Sequence, residues 1–323
     1  MSRREEHQDY KLPIKPMDLP KGKLIYIPIS DLELGYEKSL EFAEAVVAYC
    51  DVMGFSAKNN KEEIEYTLAD FAGALLSTAE NYETIRYKVF SDCAFIGAPT
   101  EKISELISSV RYAFKQWTFD GIFVRCGMAL GSYMEYKSLL PPRKNFDWTF
   151  FAGPAVVRAV DCERLGTGSL LYVSNDCATF LADKFKEPIF ALEEQKFIGW
   201  SDDNYVLYRY LVCSLLRLLR LLANDDYESD VNKRVTSNLL TNINYTTHAT
   251  NPSLMWGYIL AILSLPRLPA KSRERAVKLF HINDPTDFEK AKAFIEDFLK
   301  DDEKIKYLIA HAEFDSSIGG SLL

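Results

Sequence analysis

The sequence predicts an α+β fold, one sheet with helices packed on it, followed by an all-helical C-terminal unit. Three observations predict it. Between residues 44 and 211 the apolar pattern reads strand, helix, hairpin, helix, strand, helix, strand, helix, strand. From about residue 212 only helical spacing remains, broken at Pro252, Pro266, Pro269 and Pro285. Hydrophobic residues make up 48% of the 323, enough for a full core without disulfide or metal staples.

Residues 1–43 carry Pro13, Pro16, Pro20 and Pro28 and read as an extended lead-in. Glu44–Asp51 follows as a strand with a Val46-Val47 centre and a charged end. Gly54 and Asn59-Asn60 mark a turn. Lys61–Tyr82 is helical through Ile64, Leu68, Phe71, Leu75 and Leu76. Glu83–Ala98 is a hairpin broken at Ser91-Asp92. Glu101–Trp117 returns to helical spacing through Ile103, Leu106, Ile107, Val110 and Phe114, and Ile122–Tyr136 is a strand. Phe151–Leu165 is helical after Gly153-Pro154, and Leu170–Ser174 is a strand. Asn175–Phe185 is a helix with Asn175 as N-cap, and Asn204–Leu211 closes the sheet pattern as a strand. The tail, 212–323, offers helices near 213–223, 228–242, 253–264, 270–279, 286–299 and 301–312.

Lys and Arg total 38 against 46 Asp and Glu, a formal charge of −8, which argues against a nucleic-acid-binding face. Paired aromatics such as Tyr87, Phe90 and Phe95 could stack bases, but their alternation reads more simply as the core and cover of a hairpin. No apolar run is long enough to span a membrane, and Met1–Tyr10 lacks an apolar signal segment, so a cytoplasmic protein is expected. The six cysteines are isolated and read as buried, reduced thiols. All four histidines fall outside the core pattern and read as solvated or structural.

Two carboxylates stand out. Asp51 ends the first strand and Asp92 sits at the tip of the hairpin, where rigid strands support exposed turns. If strand and hairpin are neighbours, both face one cleft and repel each other unless a cation lies between them. Mg²⁺ or Mn²⁺ takes such oxygen ligands, and the carbonyl of Val52 could add another. Gly54-Phe55-Ser56 forms a turn whose backbone N–H groups could receive phosphate oxygens. The bland alternative is that both Asp residues serve only their local turns.

Several segments in order carry a resemblance. Ala48-Tyr-Cys-Asp51-Val-Met-Gly-Phe55-Ser resembles the first metal motif of the class III nucleotidyl cyclases, and Lys88-Val-Phe-Ser-Asp92 resembles the second. Val124-Arg125-Cys-Gly127-Met-Ala-Leu-Gly131 resembles their Arg-Ile-Gly-Ile-His-Thr-Gly strand, Gly153-Pro-Ala-Val-Val-Arg-Ala159 their Gly-x-x-Val-Asn-x-Ala helix, and Leu170–Ser174 the strand that follows it. The resemblance covers about residues 44–211, which it identifies as a cyclase catalytic domain. It implies two metal ions, Mn²⁺ or Mg²⁺, held by Asp51, Asp92 and the Val52 carbonyl, and catalytic sites at the interface of a head-to-tail homodimer.

The departures bear on substrate. Where the family places an Asn and an Arg on ribose and triphosphate, this chain has Val157 and Asp161, with Arg158 and Arg164 nearby. Lys88 keeps the base-reading Lys position, but its carboxylate partner position holds Phe150. Loss of a buried base-reading group undermines purine discrimination. The pattern most resembles the pyrimidine cyclases of Pycsar antiphage defence, which make cyclic UMP or cyclic CMP for a separate effector protein. In that subgroup the aromatic two residues before the first Asp lies near the base, which maps to Tyr49; an ordinary core aromatic is the alternative. Phe55, beside the first metal motif, is a further substrate-contact candidate. A purine cyclase and a catalytically inactive nucleotide-binding relative are the competing expectations; a diguanylate cyclase is not favoured, for lack of a Gly-Gly-Asp/Glu-Glu-Phe segment.

Overall fold

The computed structural model describes residues 36–138, 150–192, 194–250, 257–260, 262–263 and 268–282. The predicted lead-in before residue 36 and the predicted helices near 286–299 and 301–312 lie outside these residues.

The fold is α+β. Strand β1 (Tyr36–Val52) is central: it pairs antiparallel with β3 (Cys93–Pro99) on one side and β4 (Val124–Ser138) on the other. Strand β2 (Arg86–Phe90) forms the edge beyond β3. On the other side β6 (Leu171–Val173) runs parallel to β4, and β8 (Gln195–Ile198) and β7 (Ile189–Leu192) complete the order β2-β3-β1-β4-β6-β8-β7. A short β5 (Phe150–Ala152) pairs with the far end of β4. Strand β1 begins at Tyr36, eight residues before the expected Glu44, because bulges between Lys38 and Leu40 and between Phe42 and Ala45 keep it in register with β4.

The sheet has two unlike faces. Val46, Ala48, Cys50 and Val52 of β1 point into the main core with Ala94, Ile96, Val124 and Cys126. Helix α1 (Lys61–Asn81) covers this side through Phe71 and Leu75, and α2 (Ile103–Phe119) through Ile103, Leu106, Ile107, Val110 and Phe114. Asn60 caps α1 by accepting from the Glu62 amide. Leu76, expected on the buried stripe, is 66% exposed, because Phe71, Leu75 and Thr78 already fill the contact. The opposite face carries a smaller apolar cluster under α3 (Pro154–Leu165), made of Ala45, Val47, Ala129, Tyr133, Ala155 and Ala159.

Three local expectations are corrected. Asn204–Leu211 is not a strand: it opens the helix α5 (Asn204–Ala223), capped by the Asp203 carboxylate, because Val206, Leu207, Tyr210, Leu211, Ser214 and Leu215 recur at helical spacing. The hairpin β7–β8 supplies the strands in its place. The N-cap of α4 (Asn175–Phe180) is Ser174 rather than Asn175. The cysteines are not uniformly buried: Cys93, Cys162 and Cys213 are partly exposed. Helices α6 (Asp230–Ala249) and α7 (Ala270–Leu279) stand in the predicted helical region, and helical residues 257–260 and 262–263 fall within the expected 253–264. Helix α6 shares one core with the sheet, through the Tyr245 ring edge-on to Phe197 of β8 at 5.8 Å and the Ser169 amide donating to Asn242 Oδ1 at 2.6 Å. Among the described residues no helix is long and apolar enough to cross a membrane.

Candidate active site

Directly paired residues of neighbouring antiparallel strands point to the same face. The register therefore sets rows of side chains across the face that α3 partly covers. One row is Phe90, Cys93, Asp51 and Arg125; the next is Lys88, Phe95, Tyr49 and Gly127; the third is Arg86, Gly97, Val47 and Ala129. Asp51 and Tyr49 of β1 and Lys88 of β2 thus lie on one surface.

Asp92 is brought to Asp51 by the backbone. The two-residue turn Ser91-Asp92 joins β2 to β3, with Ser91 in the left-handed region at φ 53°. The amide of Val52 donates to the carbonyl of Asp92 at 2.9 Å, and the amide of Met53 to the carbonyl of Phe123 at 2.8 Å. The end of β1 is thereby tied to both neighbours. Past it, Gly54 takes φ 76°, a conformation that suits glycine, and opens the short turn Phe55–Ala57. The Phe55 ring packs against the main core, while the Val52 side chain is buried there and leaves its carbonyl as the group that could face a ligand.

The electrostatics around Asp51 favour a cation. Burial pushes its carboxyl up to about 6, and the nearby carboxylates of Glu163 and Asp92 push in the same direction; Arg125 and the Tyr49 hydroxyl pull it down. The Tyr49 hydroxyl donates to Asp51 Oδ1 at 3.3 Å, and its own titration is driven upward by burial first and by Asp51 second. Tyr49 therefore touches the carboxylate as well as presenting its ring, which packs on Phe95 at 4.8 Å. Two carboxylates and one carbonyl suit Mg²⁺ or Mn²⁺, which commonly completes its shell with water and phosphate oxygens. Among the described residues no group of three or more His, Cys, Asp or Glu side chains is arranged to hold a metal.

Two charged networks were not foreseen. Arg125, opposite Asp51, gives Nε to the buried Glu163 of α3 and NH1 to the Gly166 carbonyl at 3.1 Å. Helix α3 approaches this closely because Gly127 lacks a side chain: a Cβ there would collide with the backbone of Ala159 and Glu163. The second network centres on Glu135 of β4, buried to 4% exposure. It accepts from the Tyr133 hydroxyl at 2.8 Å, from Arg86 NH2 at 3.3 Å, and pairs with Lys88 Nζ at 3.2 Å. Burial alone would raise Glu135; the bonds from Arg86, Tyr133 and Lys88 outweigh it and hold the carboxyl below its usual range.

Of the remaining predicted positions, Val157 is 61% exposed and Asp161 and Arg164 are exposed on α3. Arg158 is directed to Asp176 at 3.4 Å and to the Leu130 carbonyl at 3.3 Å. Phe151 of β5 joins an aromatic group, 4.8 Å from Phe95 and 5.5 Å from Phe90.

No protein-family model matches the chain, and no curated protein matches it. Solved structures resembling it include the catalytic core of a rhodopsin-guanylyl cyclase with converted specificity in complex with ATPαS, at 13% identity and TM-score 0.40, covering 49% of this chain and 95% of that one. The monomeric guanylyl cyclase domain of the RhoGC fusion protein from Blastocladiella emersonii matches at 13% identity and TM-score 0.39, covering 50% and 96%. The adenylyl cyclase CyaB from P. aeruginosa matches at 14% identity and TM-score 0.37, covering 50% and 95%.

Proposed function

We propose that the chain is a nucleotidyl cyclase that converts a pyrimidine nucleoside triphosphate, UTP or CTP, to its 3′,5′-cyclic monophosphate and pyrophosphate. One observation carries the reading: the Val52 amide bound to the Asp92 carbonyl draws together two carboxylates from separate motifs, and Asp51 is left with an unfavourable negative surround. Asp51, Asp92 and the Val52 carbonyl would hold two Mn²⁺ or Mg²⁺ ions, which when bound supply charge neutralisation and an acidified ribose hydroxyl.

The chain's own groups supply position. Strands β1 and β3 fix both carboxylates on rigid backbone, and most of the rate in such a displacement comes from placement and electrostatics. The turn after Gly54 offers backbone amides to phosphate oxygens. Lys88, Tyr49 and Phe55 are the substrate-contact residues: Lys88 by an ammonium toward the base, Tyr49 by ring contact, and Phe55 by the backbone amide of its turn, its ring being held by the main core. A second copy of the chain would close the open face and complete the site, as the motif resemblance implies. That resemblance also suggests a role in antiphage defence, with the cyclic nucleotide read by a separate effector.

A second reading is favoured by Val157 and Asp161. Neither can replace the Asn and Arg of the resembling helix, and Arg158 is already engaged by Asp176. A chain without those contacts would bind nucleotide and signal its presence without turnover.

Incubating the purified protein with Mn²⁺ and UTP, CTP, ATP or GTP separately, with products resolved by chromatography and mass, decides between these. A cyclic monophosphate from UTP or CTP, lost in both Asp51→Ala and Asp92→Ala, supports the proposal. A purine product keeps the cyclase and removes the pyrimidine assignment. Nucleotide binding without product supports the inactive reading.

A further inference from the structure

The carboxylate of Glu135 is the most heavily engaged charge on the site face, and the chemistry of the two metal carboxylates makes no use of it. It sits on β4, opposite Phe151 of β5, and gathers cations from the edge strand β2. The Tyr133 ring lies over Gly97, and its hydroxyl reaches Glu135 Oε1. Oε2 takes Lys88 Nζ and Arg86 NH2. Both oxygens are therefore committed and the carboxylate is buried. The Lys88 ammonium retains 23% exposure at its side chain and the Arg86 side chain 48%.

An ammonium has three donors and no acceptor, and a guanidinium five donors and no acceptor. Glu135 thus fixes two donor-only groups in place while hiding its own acceptors. Such a surface matches the carbonyl oxygens of a nucleobase and opposes an exocyclic amino group, which would bring donors against donors. Uracil and guanine carry a carbonyl where cytosine and adenine carry an amino group.

We propose that Glu135 is a specificity-positioning residue that holds Lys88 and Arg86 as a donor-only reader, making an oxo base the substrate class and, among the pyrimidines, UTP over CTP. The proposal rests on the reading of Lys88 as the base contact. Glu135 acts through Lys88 and Arg86 and does not itself touch substrate.

The test measures kcat and KM for UTP, CTP, GTP and ATP in the wild type, in Glu135→Gln and in Lys88→Gln. The wild type is expected to favour UTP over CTP by about tenfold or more. Glu135→Gln should reduce that ratio by about tenfold, mainly through KM for UTP, with kcat at saturation much less affected. Lys88→Gln, which places an acceptor where the ammonium stood, should swing preference toward the amino bases and keeps the idea testable if Glu135→Gln does not fold. An equal loss on all four nucleotides, an unchanged ratio in both variants, or a wild type preferring CTP or ATP overturns the proposal. If the wild type turns over none of the four, the cyclase reading fails. The base preference is then read from calorimetric binding of the four α,β-methylene triphosphates with Mn²⁺, where the same ratios decide.

Discussion

The amide of Val52 donates to the carbonyl of Asp92 at 2.9 Å, so the residue after one candidate metal ligand is bonded to the backbone of the other. The separation of the two motifs is set by main-chain geometry rather than by flexible side chains. Site residues held by rigid elements can be probed one at a time, because a conservative change at one leaves the scaffold of the others standing.

Asp51→Asn should abolish turnover and stabilise the metal-free protein at neutral pH. Its carboxyl in the folded state sits at about 6, above the unfolded value of 3.8. The folded state therefore prefers it protonated. The resulting destabilisation is absent below the unfolded value, grows as pH rises through 6, and is constant beyond. Removing the charge should gain on the order of 1 kcal/mol, discounted for solvent screening of a half-buried group. Thermal melts in chelator check it: the variant should melt higher at neutral pH, and the difference should vanish near pH about 4.

Tyr49→Phe keeps the ring against Phe95 and removes the hydroxyl that reaches Asp51. Loss of one hydrogen bond to a charged acceptor is worth about 1–2 kcal/mol, so activity should fall roughly five- to thirtyfold. A Mn²⁺ titration of activity tells where the loss lies. A raised metal requirement places it at the carboxylate; an unchanged requirement with altered nucleotide KM places it at the base.

Glu163→Gln should be costly although no substrate need touch it. It removes the charge facing Arg125, which is 21% exposed and keeps the Gly166 carbonyl and an amide oxygen as acceptors, so the cost should be about 1–3 kcal/mol. The urea midpoint should drop accordingly. Arg125→Met paired with Glu163→Met, which replaces both charges by apolar volume, should recover much of the loss.

Gly127→Ala should be among the most damaging single changes. The added Cβ would meet backbone atoms of Ala159 and Glu163, which cannot rotate away, so α3 must move off the sheet. A loss of more than about 3 kcal/mol or failure to accumulate soluble protein is expected, read by melting temperature and by size-exclusion profile.

Much of this was legible in the sequence where signals are local. The Val46-Val47 centre and the charged end at Asp51 mark the strand, and Ser91-Asp92 interrupts apolar alternation where the hairpin turns. The apolar stripe of α2 matches its burial residue by residue. What failed was short or long-range. Asn204–Leu211 is a short run rich in Tyr and Val that reads as a buried strand, and only its continuation to Ala223 reveals a helix. The sequence between β7 and β8 holds no Gly, Pro or Asn to announce a hairpin. The Glu135 and Glu163 networks join residues 49 and 38 positions apart, so nothing in the neighbourhood of either glutamate tells it from a solvated one.

Helix α5 has a consequence for how the molecule can be taken apart. Its first turns lie against α2 and the segment leading into β6, with Arg209 bonded to the Thr118 carbonyl and Tyr210 to the Ser169 carbonyl. Farther along, Arg217 bonds the Gly121 carbonyl and its guanidinium lies 4.2 Å from the Phe123 ring, while Phe123 in turn receives the Met53 amide just past Asp51. A chain cut between residues 211 and 212 would sever a continuous rod and strip the prop from beneath the metal-motif turn. The helical region is thus no detachable cassette: shortened or swapped versions should be joined beyond Ala223, where the rod ends, and any movement of that rod is felt first at the loop leading into β4.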